Sequence, residues 1–158
     1  MKIGLISDTH DNVANIQRAV KKFQEENVDL VIHLGDIVAP ATLQFFQGLK
    51  MKVISGNCDG DVDHIRSKCS DFGFEYLGGF AELELEGKRI YLMHQDPSVE
   101  APEKIGEYDY IFHGHTHVRR DEVADGTHIV NPGAHYYKTE GTIAVVDIGE
   151  GTVKFHIV

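Results

Sequence analysis

At 158 residues, with 42% hydrophobic and 25% charged side chains, the chain has the size and composition of one soluble domain, residues 1–158, able to bury a core without disulfides or zinc clips. Its formal net charge of −10, with no basic run longer than the pairs Lys21-Lys22 and Arg119-Arg120, argues against a long nucleic acid as its target. No apolar stretch approaches the about 18 residues of a membrane span, no signal peptide is evident, and two cysteines are too few for a disulfide framework, so a cytoplasmic protein is expected.

Residues 2–7 form an apolar run that stops at Ser7-Asp8 and read as a buried strand. Over 12–26, Val13, Ile16, Val20 and Phe23 recur at spacings of three and four among Lys21, Lys22, Glu25 and Glu26, which predicts an amphipathic helix capped by Asp11 or Asn12. A second strand is predicted over 30–34, a short helix over 40–48 with Pro40 at its start and Gly48 at its end, and a third strand over 52–55. This β-α-β-α-β order implies parallel strands with helices packed outside. The second half changes character. Strands over 80–86 and 88–94 meet at Glu86-Gly87, strands over 119–124 and 127–131 at Asp125-Gly126, and strands over 142–148 and 152–158 at Glu150-Gly151, with one more strand from Tyr108 to His113. The expected fold class is α/β, a four-layer α/β/β/α sandwich of two mixed sheets with flanking helices.

Five polar clusters fall where predicted strands end: Asp8-Thr9-His10, Gly35-Asp36, Gly56-Asn57-Cys58-Asp59, Met93-His94 and Gly114-His115-Thr116-His117. Asp, Asn and His arriving from several directions suit two divalent cations, which need several oxygen or nitrogen donors each and an anionic bridge to offset their repulsion. Asp8 and His10 aim at one ion only if the first strand has already broken. Gly35 and Gly56 let the backbone come close, and Asn57 offers a neutral carbonyl oxygen.

In this order, Asp-x-His, Gly-Asp, Gly-Asn-x-Asp, a lone strand-end His and Gly-His-x-His resemble the calcineurin-like metallophosphoesterase superfamily. The nearest branch is that of the small, single-domain YfcE/MJ0936-type phosphodiesterases, whose fold is also that of the retromer subunit Vps29. One such motif is weak, but five in order are specific, and the resemblance spans essentially the whole chain. It implies that Asp8, His10, Asp36 and His117 hold a first metal and that Asp36, Asn57, His94 and His115 hold a second, with Asp36 as the bridge. It implies a metal-bridging water or hydroxide attacking phosphorus in line, with Asp36, Asn57, Cys58 and Asp59 as the catalytic set. The activity implied is a phosphodiesterase of broad specificity in vitro, acting on a small phosphodiester or nucleotide-like substrate. Two divalent ions are its cofactors, Mn²⁺ foremost, with Ni²⁺, Co²⁺, Fe²⁺ or Zn²⁺ compatible with the same donors. A homodimer or tetramer is implied too.

Two positions depart from that pattern. Cys58 stands where many relatives carry the histidine that helps to protonate the leaving group, which predicts good turnover of activated aryl diesters and poor turnover of alkyl ones. His94 is followed by Gln95-Asp96-Pro97 where many relatives have glycine, so the loop that meets substrate is differently shaped. Other residues have ordinary readings. His33, His64, His128, His135 and His156 read as surface or hydrogen-bonded histidines, and His113 as a core residue or a support. Asp59 reads as orienting its neighbours, Asn131-Pro132-Gly133 as a turn near the site, Arg66 and Arg119 as exposed charges, and Cys69 as a small buried hydrophobe. The alternative functions are a Vps29-like scaffold, which would be marked by loss of metal ligands, and a redox sensor built on Cys58.

Overall fold

A computed structural model of the chain describes residues 1–135 and 140–158. Its strands are β1 (Lys2–Ile6), β2 (Leu30–His33), β3 (Met51–Val53), β4 (Glu75–Tyr76), β5 (Phe80–Leu85), β6 (Lys88–Met93), β7 (Tyr110–Phe112), β8 (Arg120–Ala124), β9 (Thr127–Asn131), β10 (Thr142–Asp147) and β11 (Thr152–Ile157). Its helices are α1 (Val13–Glu26), α2 (Val62–Phe72) and the single turn α3 (Pro97–Glu100). Two mixed sheets result. One has six strands in the order β11-β10-β1-β2-β3-β4, and the other has five in the order β5-β6-β7-β9-β8.

The strands that deliver the site run parallel within each sheet. β1, β2 and β3 pair in parallel, with Leu5 opposite Ile32 and Val31 opposite Met51. β6, β7 and β9 do the same, with Leu92 opposite Phe112 and Phe112 opposite Val130. Parallel strands must be covered on both faces, and the side-chain period of two divides their residues accordingly. Ile3 and Leu5 of β1 face Leu92, Phe112 and Val130 across the inter-sheet core, whereas Ile6 faces away, towards Ile16, Val20 and Phe23 of α1.

α1 forms because its apolar positions make one stripe. Ile16, Ala19, Val20 and Phe23 are buried, Asn12 caps the helix by accepting the N–H of Asn15, and Asn27 ends it in a left-handed conformation. The outer face of the five-stranded sheet is covered more lightly. Tyr91, Met93, Tyr108 and Ile111 pack there under Ala101 and Ile105, which follow α3.

The α/β class and the two mixed sheets match expectation. Three details differ. The helix predicted over 40–48 is a 3₁₀ segment, Pro40–Phe46, which buries Thr42, Leu43 and Phe46. α2 and β4 were not anticipated: the 56–79 stretch hides a helix capped by Asp61 and closed by Gly73 at φ 73°. The Glu86-Gly87 and Asp125-Gly126 turns have the positive φ values of tight two-residue hairpins, but β10 and β11 are joined by a longer loop, 148–151.

Candidate metal centre

Each of the five clusters emerges at the carboxyl end of a strand: β1 for Asp8 and His10, β2 for Asp36, β3 for Asn57, β6 for His94, and β7 for His115 and His117. The two sheets therefore present these candidate ligands to one shared edge. The chain must reverse direction abruptly to do this. Asp8 (φ 53°), His10 (φ 39°), Asp36 (φ 57°), His115 (φ 65°) and His117 (φ 60°) all sit in the left-handed region. Such conformations cost about 1–3 kcal/mol each and persist only where the surroundings over-determine them, as at functional sites. They also break β1 early enough for Asp8 and His10 to face the same space. Gly35, at φ 98°, has no alternative: a Cβ there would lie 2.6 Å from the Gly56 nitrogen and 2.8 Å from His94 Nδ1.

Asp8, Asp36 and His94 form a buried floor, and Asn57, Cys58 and His115 an exposed rim. His117 Nε2 lies 3.1 Å from Asp8 Oδ1, His10 Nε2 lies 3.3 Å from Asp36 Oδ2, and His94 Nε2 lies 3.3 Å from Asp36 Oδ1 and 3.9 Å from Asp8 Oδ1. On the rim, His115 Nδ1 is 2.9 Å from Asn57 Oδ1. Candidate ligand atoms gather within 4.8 Å of one another in the sets Asp8-His10-His117, Asp8-Asp36-His94 and His10-Asp36-Cys58.

The tautomer of His94 is fixed from behind. Its Nδ1 lies 2.7 Å from the Leu34 carbonyl, which only accepts, so Nδ1 carries the proton and the Nε2 lone pair faces Asp8 and Asp36. His94 Nε2 and Asp8 Oδ1 are buried and neither has a hydrogen-bond partner among the described residues. Lone pairs that converge in this way call for a positive charge. Burial disfavours that charge on the ring itself, but Asp36, the Leu34 carbonyl and Asp8 outweigh it and hold His94 above the usual histidine range. Burial likewise opposes ionisation of Asp36, and the His94 ring together with the Cys58 amide, 2.8 Å from Oδ1, overcomes it and holds the carboxyl below the usual range.

Supporting residues set this geometry. Asp59 binds no candidate ligand atom; its carboxylate accepts the N–H groups of Asp36 and Gly56 on one oxygen and those of Ile37 and Val38 on the other, at 2.8–2.9 Å. Asn131, at the end of β9, donates to the Gly114 carbonyl at 2.7 Å and to Thr116 Oγ at 3.1 Å, fixing the loop that carries His115 and His117. His33 is wholly buried; its Nδ1 accepts the Gly35 N–H at 3.2 Å, so Nε2 donates to Thr9 Oγ at 3.1 Å. Desolvation pushes the Cys58 thiol up to about 11, reinforced by its hydrogen bond to Asp36 and by the charges of Asp36, Asp59 and Asp8.

Comparison with known proteins identifies the family. The model of the calcineurin-like phosphoesterase superfamily domain matches residues 1–151. The chain belongs to the calcineurin-like phosphoesterase superfamily. Among curated relatives of this superfamily, phosphodiesterase MJ0936 of Methanocaldococcus jannaschii is 34% identical over 154 residues, 93% of each chain. Among solved structures, an archaeal phosphodiesterase superposes with a TM-score of 0.90 at 30% identity over the whole of both chains. A Vps29 variant from Entamoeba histolytica superposes with a TM-score of 0.70 over 100% of this chain and 98% of its own, at 18% identity, a likeness of fold alone.

All seven anticipated ligands of this calcineurin-like chain lie at one edge, with Cys58 beside them and Asp59 behind them. His33 stands in the uniformly apolar run Leu30-Val31-Ile32-His33-Leu34, a signal that the ring is buried with the strand. His64 and His128 bind no candidate ligand; they face Asp61 and Asp121 respectively. No helix among the described residues is long and apolar enough to cross a membrane.

Proposed function

We propose that this chain is a phosphodiesterase with two divalent cations at the strand-end edge. Asp8, His10, Asp36 and His117 would hold one cation and Asp36, Asn57, His94 and His115 the other, with Asp36 between them. The observation that carries this reading is the buried convergence of donor atoms on one space, with His94 Nε2 3.3 Å from Asp36 Oδ1 and 3.9 Å from Asp8 Oδ1. A cation satisfies these atoms at once, and the mixed carboxylate, amide and imidazole donors suit Mn²⁺ and its first-row neighbours. Asn57 Oδ1 and His115 Nδ1, 2.9 Å apart on the rim, would be neighbouring donors to the second cation.

The two cations, when bound, would supply Lewis acidity to a water and to the phosphoryl oxygens. The chain's own residues do the rest. Asp36 stays ionised at the centre of the floor, where a neutral residue would leave the cations' repulsion unscreened. The Leu34 carbonyl and the Asp59 carboxylate hold His94 and Asp36 in place, so little reorganisation is needed during reaction. The exposed rim at Asn57, Cys58 and His115 admits substrate. Cys58 keeps a proton near where the leaving oxygen would depart, but as a weak acid. MJ0936, named a phosphodiesterase, supports a small phosphodiester as the substrate class.

The test is hydrolysis of bis-p-nitrophenyl phosphate by metal-stripped protein, with and without Mn²⁺, alongside Asp36→Asn. Metal-dependent turnover that the variant loses is the expected result. Folded protein inactive with Mn²⁺, Ni²⁺, Co²⁺ and Zn²⁺ alike would overturn the reading and put a Vps29-like scaffold in its place.

A further inference from the structure

The loop after His94 departs from the His-Gly pattern, and its course builds a cavity beside the metal ligands. Asp96 accepts the Ser98 N–H at 2.9 Å and Pro97 starts the single-turn helix α3, so Gln95-Asp96-Pro97 turns the chain away from the site and raises α3 as a wall. Arg120 pins that wall, donating to Asp96 at 3.0 Å and to Ser98 Oγ at 3.0 Å. Between the wall and the β7 loop lies a cavity of about 250 Å³ lined by Gln95, Asp96, Val99, Glu100, His115 and Thr116. His115 lines the cavity and also stands on the rim of the candidate metal centre, so the two adjoin at that ring.

The lining states a chemistry. Asp96 is occupied by Ser98 and Arg120. Glu100 is exposed and its carboxylate has no ion pair among the described residues. Val99 offers an apolar face, 73% exposed, and Gln95 an amide. A negative charge entering here meets an unpaired carboxylate and finds no free cation in the lining. A neutral or cationic group with hydrogen-bond donors and a flat apolar side finds an acceptor, an amide and an apolar surface. The volume lies below the roughly 300–1,000 Å³ of pockets that enclose a drug-sized ligand, which fits one ester arm and not a chain.

We propose that the cavity between α3 and the His115 loop is the subsite for one ester arm of the diester, an uncharged or cationic, donor-bearing group of nucleoside size, and that Glu100 selects against anionic arms. This rests on the phosphodiesterase reading above and adds the substrate class to it.

The test compares three p-nitrophenyl phosphodiesters whose second arm is thymidine, choline or a carboxylate-bearing alkyl group, measured as kcat/KM with Mn²⁺. In the wild type, the thymidine and choline arms are expected to outrun the carboxylate arm. Glu100→Lys should shift the carboxylate-to-thymidine ratio by about fivefold or more in favour of the carboxylate, the scale of one charge contact near the surface. Glu150→Lys, the same change of charge in the distant β10–β11 loop, should leave the ratio as it is. A ratio that moves less than about twofold in Glu100→Lys, or moves equally in both variants, overturns the subsite. Absence of turnover of every diester by folded, Mn²⁺-supplied wild type is a different result: it removes the phosphodiesterase reading, and the subsite with it.

Discussion

The Asp59 carboxylate accepts the backbone N–H of Asp36 at 2.9 Å, tying the centre of the β2 loop to a residue of the β3 loop. The same carboxylate takes three further N–H groups, from Ile37, Val38 and Gly56, so one anion satisfies donors that the abrupt left-handed turn at Asp36 would otherwise orphan. Asp59→Asn keeps the shape but turns one oxygen into a donor facing two N–H groups. We expect metal affinity to fall about 10- to 100-fold, as for other partners that orient ligands, with a stability loss of about 1–3 kcal/mol. Titration calorimetry with Mn²⁺ and thermal melting measure the two effects. A variant that binds metal like the wild type would show that Asp59 is not what sets the ligand loop.

Gly56 is present for room, not for its backbone angle. A Cβ at this position would fall on Asp36 Oδ1 and lie 2.8 Å from His94 Cε1, two of the floor groups at once. Neither can retreat, since Asp36 is held by the Cys58 amide and His94 by the Leu34 carbonyl. Gly56→Ala should therefore fold, destabilised by about 1–3 kcal/mol through overpacking, and lose most of its metal binding. Gly60→Ala, where an added Cβ meets nothing within 4 Å, is the matched control. Equal metal affinities in the two variants would contradict the crowding argument.

His33 gives a pH dependence of stability whose sign can be worked out. Burial pushes it down to about 3, from 6.5 when free, so between these values the unfolded chain binds a proton that the folded chain does not. Stability is then full above about pH 6.5 and falls as the pH drops towards 3, with a slope of up to about 1.4 kcal/mol per pH unit from this one group. The neutral ring is also the form the contacts require, because Nδ1 must accept from Gly35. His33→Gln retains an acceptor and a donor but has no titration. Denaturant unfolding of metal-stripped protein between pH 4 and 7 should show a flatter slope in the variant. Parallel slopes would mean that His33 is protonated in the folded state or titrates alike in both.

The site was legible because the chemistry that makes it also marks it. A buried parallel strand is a continuous apolar run, and a candidate metal ligand at its end is an abrupt polar residue, often beside a glycine, so each of the five clusters announced its own strand end. α2 was not legible for the opposite reason. Of its eleven residues only Ile65 and Cys69 are buried, too few for a stripe, and its markers were the Asp61 cap and Gly73. β4 has two residues and α3 four, lengths at which tertiary contacts decide and local pattern does not. Asp59 is legible as a residue that orients its neighbours, but the partners of the supports are not. That Asn131 reaches the Gly114 carbonyl depends on β7 and β9 lying side by side, a pairing that no local signal in either strand contains.

Cys58 is expected to set the limit on leaving groups. Its backbone N–H donates to Asp36, and its thiol, an intrinsically weaker acid than an imidazolium, is pushed up further by burial and by Asp36. An activated aryl leaving group departs as a stable anion and needs no proton, whereas an alkoxide does. The wild type should therefore turn over bis-p-nitrophenyl phosphate well and a matched methyl-group diester, read through release of methanol, poorly. Cys58→His places an acid of suitable strength on the same exposed rim and should raise the alkyl rate by about 10-fold or more, the lower end of what a positioned general acid supplies, with a smaller effect on the aryl rate. The informative quantity is the alkyl-to-aryl ratio of kcat/KM in the two proteins. If that ratio is unchanged, proton donation at residue 58 does not govern leaving-group choice, and the departing oxygen takes its proton from elsewhere in the cleft.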